Sequence, residues 1–353
     1  MKDIGILTFT RAINYGAVLQ AYALQTVLSD YASAELICYK SPHIERLYHA
    51  FPRTPAALLH AVMFARRDRR FRAFMSEIAS AEVYDEKTVF HTPYARLVVG
   101  SDQVWNLSCT GGDLAFLPLG MPQKKVYSYA ASFGVSALPA DVIPLFSRAL
   151  SPMRVLSVRE ESGARICRES LGLSAEVALD PTLLLDADAW RAFAAGADEP
   201  RKKEPYLLLY TLTGSVRVKA TARRLSRELG LPIYNLTVST RDRTGARRIR
   251  AAGPREFVSL IANASYVVTD SFHGTAFSLN FGVPFYSFAE NERASRITDL
   301  LARVGLSDRC NPTEEVLAAP AAPDFSAPHA RLAEAKADSI KIIEKIAEDG
   351  KQK

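Results

Sequence analysis

His273 is the residue whose type and position in this sequence best suit chemistry. The β-rich run at residues 266–269 predicts a buried strand, and residues 275–281 predict a helix directly after the histidine. In a parallel sheet this order places the imidazole at the carboxyl edge, where open α/β sheets bind ligands. Because helix N-termini attract anions, we expect a substrate that carries phosphate or carboxylate. A histidine with a purely structural role is the alternative interpretation.

The N-terminal segment has the same order of strand, loop and helix. A predicted strand at residues 4–9 is followed by Asn14 and Tyr15, which offer polar side chains. At Gly16 the backbone either turns tightly into the helix or approaches a ligand. Only one glycine separates strand from helix, so a dinucleotide-binding fingerprint is absent. An ordinary helix N-terminus explains these residues equally well.

A second polar cluster follows the predicted strand at residues 96–99. Its members are polar or aromatic and lie within five positions of one another: Ser101, Asp102, Gln103 and Trp105. Carboxylates and amides hold hydroxyl-rich ligands, and sugar rings stack on indoles, so the cluster favours a sugar-binding site. Burial of Trp105 in the core is the alternative.

Three arginines are candidates for binding anions. Arg159 follows the apolar run at 155–158, at a predicted strand end, where its fixed fork of donors suits a carboxylate or phosphate. Arg293 and Arg296 are three residues apart and would share one helical face downstream of the histidine. Surface ion pairs or simple solvation are the alternatives.

Strand-like runs alternate with helical segments along the chain, which predicts an α/β fold with mostly parallel sheets covered by helices. The charged, proline-containing segment at 198–205 interrupts this alternation, and we place the domain boundary there. The prediction is an N-terminal domain at 1–197, a C-terminal domain at 205–310, and a connector with a C-terminal helix at 311–353. Two similar α/β halves make a cleft between them the expected site.

Composition and charge are those of an ordinary globular enzyme of 353 residues. Lys and Arg number 44 against 38 Asp and Glu, a net charge of +6 that suits polyanions or an anionic membrane surface. The four cysteines are scattered without metal-ligand spacing, so we expect reduced thiols, a cytoplasmic protein and no metal site. We find no secretory signal, and the apolar stretch at 56–65 is too short to span a bilayer.

The segment at 64–74 interleaves five arginines with three phenylalanines. This pattern predicts peripheral contact with an anionic membrane, with cations at the headgroups and aromatic rings at the interface. A solvated arginine-rich helix is the alternative. Nucleic acid ranks last among the partners, because no recognised nucleic-acid motif accompanies the charge.

Five strings in this order resemble the polysaccharide pyruvyl transferase family: NYGAVLQAYAL, GSDQVWN, SVRE, DPTLLL and TDSFHGTAFSLNFGVPF. The resemblance runs from about residue 4 to residue 306. It implies a fold similar to that of GT-B glycosyltransferases, with two Rossmann-like domains facing across a cleft, and no metal or other cofactor. The implied reaction moves the enolpyruvyl unit of phosphoenolpyruvate onto two sugar hydroxyls, which leaves a cyclic pyruvate ketal and free phosphate.

The resemblance also implies roles for residues at the matching positions. His273 would bind phosphoenolpyruvate and donate a proton, and Arg159 would hold the anionic groups of the donor. The other residues assigned to the donor side are Ser271, Gly274, Thr275, Arg293 and Arg296. Many members of the family have an arginine where this chain has Ser271, so another group must replace that cation.

The polar residues of the N-terminal half would face the acceptor sugar: Asn14, Tyr15, Gly16, Ser101, Asp102, Gln103 and Trp105. The resemblance implies an acceptor attached to a lipid carrier, and hence a protein at the inner face of the cell membrane. Two other functions are open on the same scaffold. One is a glycosyltransferase that uses a nucleotide sugar, and the other is a non-catalytic protein that binds glycans or anions.

Overall fold

The computed structural model describes residues 3–119, 125–198, 204–237, 239, 246–289, 295–318 and 320–349. The chain divides into two compact units. The first is formed by Met1–Phe51, Arg72–Leu184 and Glu334–Lys353, and the second by Pro52–Phe71 and Leu185–Ala333.

The first unit is built on a five-stranded parallel sheet with the strand order β3-β2-β1-β4-β5. Its strands are β1 (Ile4–Leu7), β2 (Ala34–Tyr39), β3 (Ala79–Tyr84), β4 (Arg96–Val99) and β5 (Lys125–Ser128). The central strands β1 and β4 are buried at every position, as expected for a parallel sheet covered on both faces. This strand order is that of a Rossmann-like fold.

Helices and a small second sheet complete this unit. The helices are α1 (Tyr15–Ser29), α2 (Pro42–Tyr48), α4 (Leu107–Thr110), α5 (Ile143–Leu150) and α6 (Glu161–Leu171), and the short strands are β6 (Ser157–Val158) and β7 (Glu176–Val177). Two longer helices, α3 (Pro55–Ile78) and α13 (Ser326–Glu348), each contribute residues to both units.

The second unit repeats the same architecture. Its strands are β8 (Leu207–Tyr210), β9 (Ile233–Leu236), β10 (Arg247–Ile249), β11 (Tyr266–Thr269) and β12 (Phe285–Ser287). They are parallel in the order β10-β9-β8-β11-β12. The helices are α7 (Ala187–Ala194), α8 (Val216–Leu229), α9 (Pro254–Ala262), α10 (Phe272–Phe281), α11 (Ser295–Val304) and α12 (Glu314–Ala318). The predicted α/β class with parallel sheets is therefore confirmed, with one Rossmann-like sheet in each unit.

The units differ in extent from the predicted domains at 1–197, 205–310 and 311–353. Helix α7 belongs to the second unit. The Arg255 guanidinium of α9 donates to the carbonyl of Phe193 on α7 at 3.0 Å and lies 4.7 Å from the centroid of the Phe193 ring. Residues 334–353 belong to the first unit instead of forming a separate tail with the connector.

The arginine-rich segment at 64–74 lies within α3, and its aromatic rings face the protein. Phe64, Phe71 and Phe74 are buried, and the side chains of Arg67 and Arg70 are almost fully buried as well. The rings therefore cannot serve as the interfacial aromatics that the sequence predicted. Within the described residues, no helix is long and apolar enough to cross a membrane.

The C-terminal end of α13 is fixed to the sheet of the first unit by charged groups. The Arg96 guanidinium donates to the carbonyls of Ile346 and Ala347 at 3.1 and 2.8 Å, which satisfies groups left without partners at a helix end. The Asp349 carboxylate accepts a hydrogen bond from the Tyr127 hydroxyl at 2.5 Å and lies near Lys125. The Tyr127 hydroxyl holds the pKa of Asp349 below its usual value.

The hydrogen bond between Tyr127 and the Asp349 carboxylate predicts that acid weakens the attachment of α13 to the first unit. Because the pKa of Asp349 is lower in the folded protein, its stabilising effect is complete above the unfolded pKa of about 4 and is lost as the pH falls through the folded pKa. We expect Asp349→Asn to lower the melting temperature at pH 7, and the gap from the wild type to narrow near pH 3. Thermal unfolding of both proteins across this range tests the prediction, and a gap that does not depend on pH contradicts it.

Candidate functional site

Each parallel sheet has a point at which the chain reverses its direction of strand addition. These switch points lie between β1 and β4 in the first unit, and between β8 and β11 in the second. In open α/β sheets, ligands bind in the crevice beyond the carboxyl ends of the strands at such points. The predicted site residues of the 14–16, 101–105 and 271–275 segments follow three of these four strands.

At the switch point of the first unit, hydrogen bonds join the segments after β1 and β4. The Gln20 amide donates to the Thr8 hydroxyl, and that hydroxyl donates to the Ser101 carbonyl, each at 2.9 Å. The Ser101 hydroxyl donates in turn to the Ala130 carbonyl at 2.8 Å. Thr8 and Gln20 were not among the predicted site residues, although both lie within six positions of the predicted Asn14–Gly16 cluster in the sequence. These bonds fix the backbone that presents the polar cluster after β4.

Arg159 is the centre of this polar cluster. Its guanidinium donates to the Ser101 hydroxyl at 2.6 Å and lies 3.0 Å from Asp180 Oδ2 and 3.6 Å from Asp102 Oδ1. The side chain is only 2% exposed. Burial by itself would lower the pKa of Arg159, but the Asp180 and Asp102 carboxylates outweigh it and hold the pKa above its usual value. The structure thus places Arg159 among residues predicted for the acceptor, and it belongs to a different unit from His273.

Asp102 and Gln103 are held by local hydrogen bonds. Asp102 has a φ of 75°, a left-handed conformation that aspartate tolerates better than most residues, and its carboxylate accepts from the Gln103 N–H at 2.9 Å. The Gln103 carbonyl oxygen accepts from the Asn106 amide at 2.8 Å. The Gln103 amide nitrogen and the second oxygen of Asp102 are outside these local bonds, and both residues are buried, at 8% and 7% exposure.

Trp105 occupies a core position and not that of a stacking platform. It is 1% exposed, its indole N–H donates to the Phe116 carbonyl at 3.1 Å, and its ring lies 5.1 Å from the Phe133 ring. A sugar that stacks on an indole needs an accessible ring face. The predicted acceptor role of Trp105 is therefore corrected to a packing role.

The predicted residues at the start of α1 cap the helix. Asn14 is the N-cap, is exposed, and accepts from the Ala17 N–H through its side chain at 3.3 Å. Tyr15 and Gly16 are the first two helical residues, and both are buried. Asn14 thus keeps its amide group at the solvent side of the switch point, whereas the other two residues support the helix.

In the second unit, Ser271 caps the helix that contains His273. Its hydroxyl accepts from the Gly274 N–H at 3.3 Å, and its own N–H donates to the Thr269 hydroxyl at 3.0 Å. Gly274 packs so closely on β11 that a Cβ there would lie 2.5 Å from Thr269 Oγ1. The Thr275 hydroxyl is buried and bonds to Ser287 on β12 at 2.7 Å. These three predicted donor residues therefore shape the turn that positions the histidine.

Asp270 was not among the predicted site residues, although its carboxylate joins the two loops of this switch point. Its carboxylate accepts from the hydroxyls of Thr211 and Thr213 at 2.6 and 2.5 Å, and from the N–H groups of Leu212 and Thr213 at 2.6 and 3.1 Å. Asp270 therefore fixes the loop after β8 to the turn after β11. An aspartate directly after a strand, together with a Thr-rich loop after the neighbouring strand, is the signal that could have identified it.

His273 is the second residue of α10, at the carboxyl end of β11, and is 8% exposed. Its ring lies edge-on to the Phe272 ring, with centroids 5.2 Å apart. The Arg296 guanidinium of α11 lies 5.7 Å from the centroid of the same Phe272 ring. Arg296 and His273 thus both lie beside the Phe272 ring, while Arg293 lies outside the described residues.

The arrangement in the second unit combines an imidazole, a guanidinium and a helix N-terminus. Such a set binds anionic oxygens and places a proton donor beside them. In the described part of the chain, no group of three or more His, Cys, Asp or Glu side chains is arranged to hold a metal ion.

A model of the polysaccharide pyruvyl transferase family matches residues 14–292, which is most of the chain. No curated protein matches the sequence significantly. Among solved structures, the chain is similar to a putative UDP-N-acetylglucosamine 2-epimerase from Listeria monocytogenes, with 13% identity and a TM-score of 0.49 over 98% of this chain and 90% of that one.

Two glycosyltransferase structures show a similar level of likeness. For a Streptomyces sp. SF2575 glycosyltransferase complexed with thymidine diphosphate, the identity is 14% and the TM-score 0.48, over the whole of both chains. For a mutant O-GlcNAc transferase from Thermobaculum terrenum, the identity is 15% and the TM-score 0.45. That match covers 97% of this chain but only 64% of the Thermobaculum chain.

Proposed function

The chain belongs to the polysaccharide pyruvyl transferase family, and we propose that it transfers the pyruvyl unit of phosphoenolpyruvate to two hydroxyls of a sugar. The product is a cyclic pyruvate ketal in a polysaccharide precursor, and phosphate is released. The observation that carries this proposal, besides the family, is the buried His273 on the first turn of α10 with Arg296 beside the same phenylalanine ring.

The reaction needs one proton donor and two anion-binding groups. A proton must reach the methylene carbon of phosphoenolpyruvate, so that one sugar hydroxyl bonds to the adjacent carbon and returns its own proton to the proton donor. The second hydroxyl then displaces the phosphate from that carbon, and its proton leaves with the phosphate. We assign the proton donation to His273, because histidine is the side chain that most often acts as a general acid near neutral pH.

We assign binding of the donor's phosphate or carboxylate to Arg296 and to the N-terminus of α10. The helix N-terminus supplies N–H groups and a positive dipole end, and the guanidinium supplies a fork of donors. Ser271 does not replace the arginine that many relatives have, because a hydroxyl carries no positive charge; its oxygen caps α10 by accepting from the Gly274 N–H. Arg296 therefore takes over that charge in this proposal, and Arg159 is assigned to the support of the polar cluster in the first unit.

For the acceptor we propose a sugar, attached to a lipid carrier, that is recognised by Asn14, Asp102 and Gln103. Asn14 is exposed, and Asp102 and Gln103 have polar atoms beyond their local hydrogen bonds. Amide and carboxylate groups of this kind pair with sugar hydroxyls. We further propose that the reaction requires no metal ion or organic cofactor.

Product analysis tests the proposed reaction. The protein is incubated with phosphoenolpyruvate and a panel of nitrophenyl glycosides or lipid-linked oligosaccharides, and the products are examined by mass spectrometry. We expect the acceptor to gain one pyruvate less one water, with two hydroxyls blocked against acetylation and one phosphate released per product. Treatment with a chelator should leave the rate unchanged.

Matched donors distinguish the alternatives. A UDP- or TDP-sugar that yields nucleoside diphosphate and a longer glycan would replace the proposed reaction with glycosyl transfer. Saturable binding of glycan or phosphoenolpyruvate without turnover of any donor, across the whole acceptor panel, would replace it with a binding function.

A further inference from the structure

Among the described residues, large apolar side chains exposed to solvent concentrate between residues 47 and 62. On α3 they are Leu58, Leu59 and Val62, which are 55%, 55% and 68% exposed. A single exposed leucine is ordinary, whereas neighbouring exposed apolar side chains on one helix mark an interaction surface.

These residues share one side of α3 with two arginines. At 100° per residue, Leu58, Val62 and Arg69 fall within about 40° of one another, and Leu59 and Arg66 lie beside them. Arg66 and Arg69 are both exposed. We call these five residues the outer face of α3.

The opposite side of α3 packs against the rest of the protein. Phe64 and Phe71 are buried there. At the border of the outer face, the Arg70 guanidinium donates to the Ala251 carbonyl at 2.7 Å. The helix is therefore held by its inner side and by Arg70, and among the described residues the five members of the outer face stay exposed.

The outer face itself carries two arginines and no carboxylate. The sequence has no aspartate or glutamate between Glu45 and Asp68. Within the part of the chain that the structure describes, Arg66 and Arg69 form no ion pair. Apolar side chains flanked by uncompensated arginines fit the boundary between acyl chains and anionic headgroups.

We propose that the outer face of α3 binds the surface of an anionic lipid bilayer. Leu58, Leu59 and Val62 enter the acyl boundary, and Arg66 and Arg69 meet the phosphate groups. A second copy of this chain fits less well, because a symmetric dimer places the same patch on both partners and would bring the arginines of the two copies together.

Vesicle flotation tests the proposal in the absence of donor and acceptor, so its outcome is independent of the proposed transferase activity. We expect the full-length protein to float with vesicles of phosphatidylglycerol and phosphatidylcholine, and not with phosphatidylcholine alone. The variant Arg66→Gln with Arg69→Gln should bind the anionic vesicles about 30-fold more weakly, because each basic residue at the membrane surface contributes about 1 kcal/mol. Leu58→Gln with Val62→Gln should also weaken it, by at least about tenfold, because the apolar contact is lost.

A charge-matched variant controls for net charge. Arg223 and Arg227 are exposed on α8, and Arg223→Gln with Arg227→Gln removes the same charge elsewhere in the second unit. Equal losses in both arginine variants, or no flotation of the wild type, would overturn the proposal. So would a concentration-dependent dimer that Leu58→Gln with Val62→Gln converts to a monomer without any change in flotation, since the occupant would then be a second copy.

Discussion

Replacing His273 with glutamine is expected to lower acceptor-dependent phosphate release from phosphoenolpyruvate by about 10²- to 10⁴-fold, the range for loss of a general acid. Glutamine retains a polar side chain that can form hydrogen bonds but cannot donate a proton near neutral pH. Because the turn is shaped by Ser271, Gly274 and Thr275 rather than by the imidazole, the fold should be preserved. Initial rates at saturating donor measure the effect.

His91→Gln provides the matched control. His91 is exposed in a short 3-10 turn of the first unit, and its replacement should leave the rate within twofold of the wild type, roughly as for other surface changes. If the His273→Gln variant keeps the wild-type melting temperature and more than a tenth of the wild-type rate, His273 is not the proton donor.

Replacing Arg159 with methionine is expected to destabilise the first unit by about 3–5 kcal/mol, because one partner of a buried ionic group is lost and carboxylates stay behind. Asp180 is fully buried and Asp102 nearly so, and both lie within 3.6 Å of the guanidinium. For a unit of this size the melting temperature should fall by roughly 6–20 °C. Calorimetry of the variant and the wild type measures the change.

Two further variants test this interpretation of Arg159. Arg168→Met removes an arginine on α6 whose side chain is 70% exposed, and should have little effect on stability. The double variant Arg159→Met with Asp180→Asn should lose less free energy of unfolding than the sum of the losses in the two single variants. The reason is that no unpaired carboxylate remains at position 180. A fully stable Arg159→Met protein with impaired donor binding would instead return Arg159 to the role of an anion clamp.

The sequence predicted the elements around His273 well, because a β-branched run and the helix after it are strong local signals. Residues 266–269 form β11 as expected, and α10 begins three residues earlier than the predicted 275 because Ser271 caps it. Capping depends on a single side chain and its φ and ψ, which periodicity does not reveal.

Other parts of the site depend on contacts distant in sequence, and the sequence could not settle them. The Asp270 carboxylate reaches Thr211 and Thr213 nearly sixty residues away. Trp105 and Phe64 are aromatic residues beside polar or charged neighbours, a pattern that fits both a ligand site and a core. In the structure both rings are buried in the core. The other elements of the unit determine the side on which each ring packs, and the local sequence does not contain that information.

The contribution of α13 to the first unit has a consequence for protein synthesis. The Arg96 guanidinium donates to the carbonyls of Ile346 and Ala347, and the Leu179 N–H donates to the Ser339 hydroxyl. These partners are synthesised last. During translation from the N-terminus, the ribosome must therefore complete the whole second unit before the first can form its last contacts. Domains that are continuous in sequence fold as they emerge, whereas this one is finished only after the chain is nearly complete. An early stop codon after residue 333 would leave the first unit, and not the second, without a part of its structure.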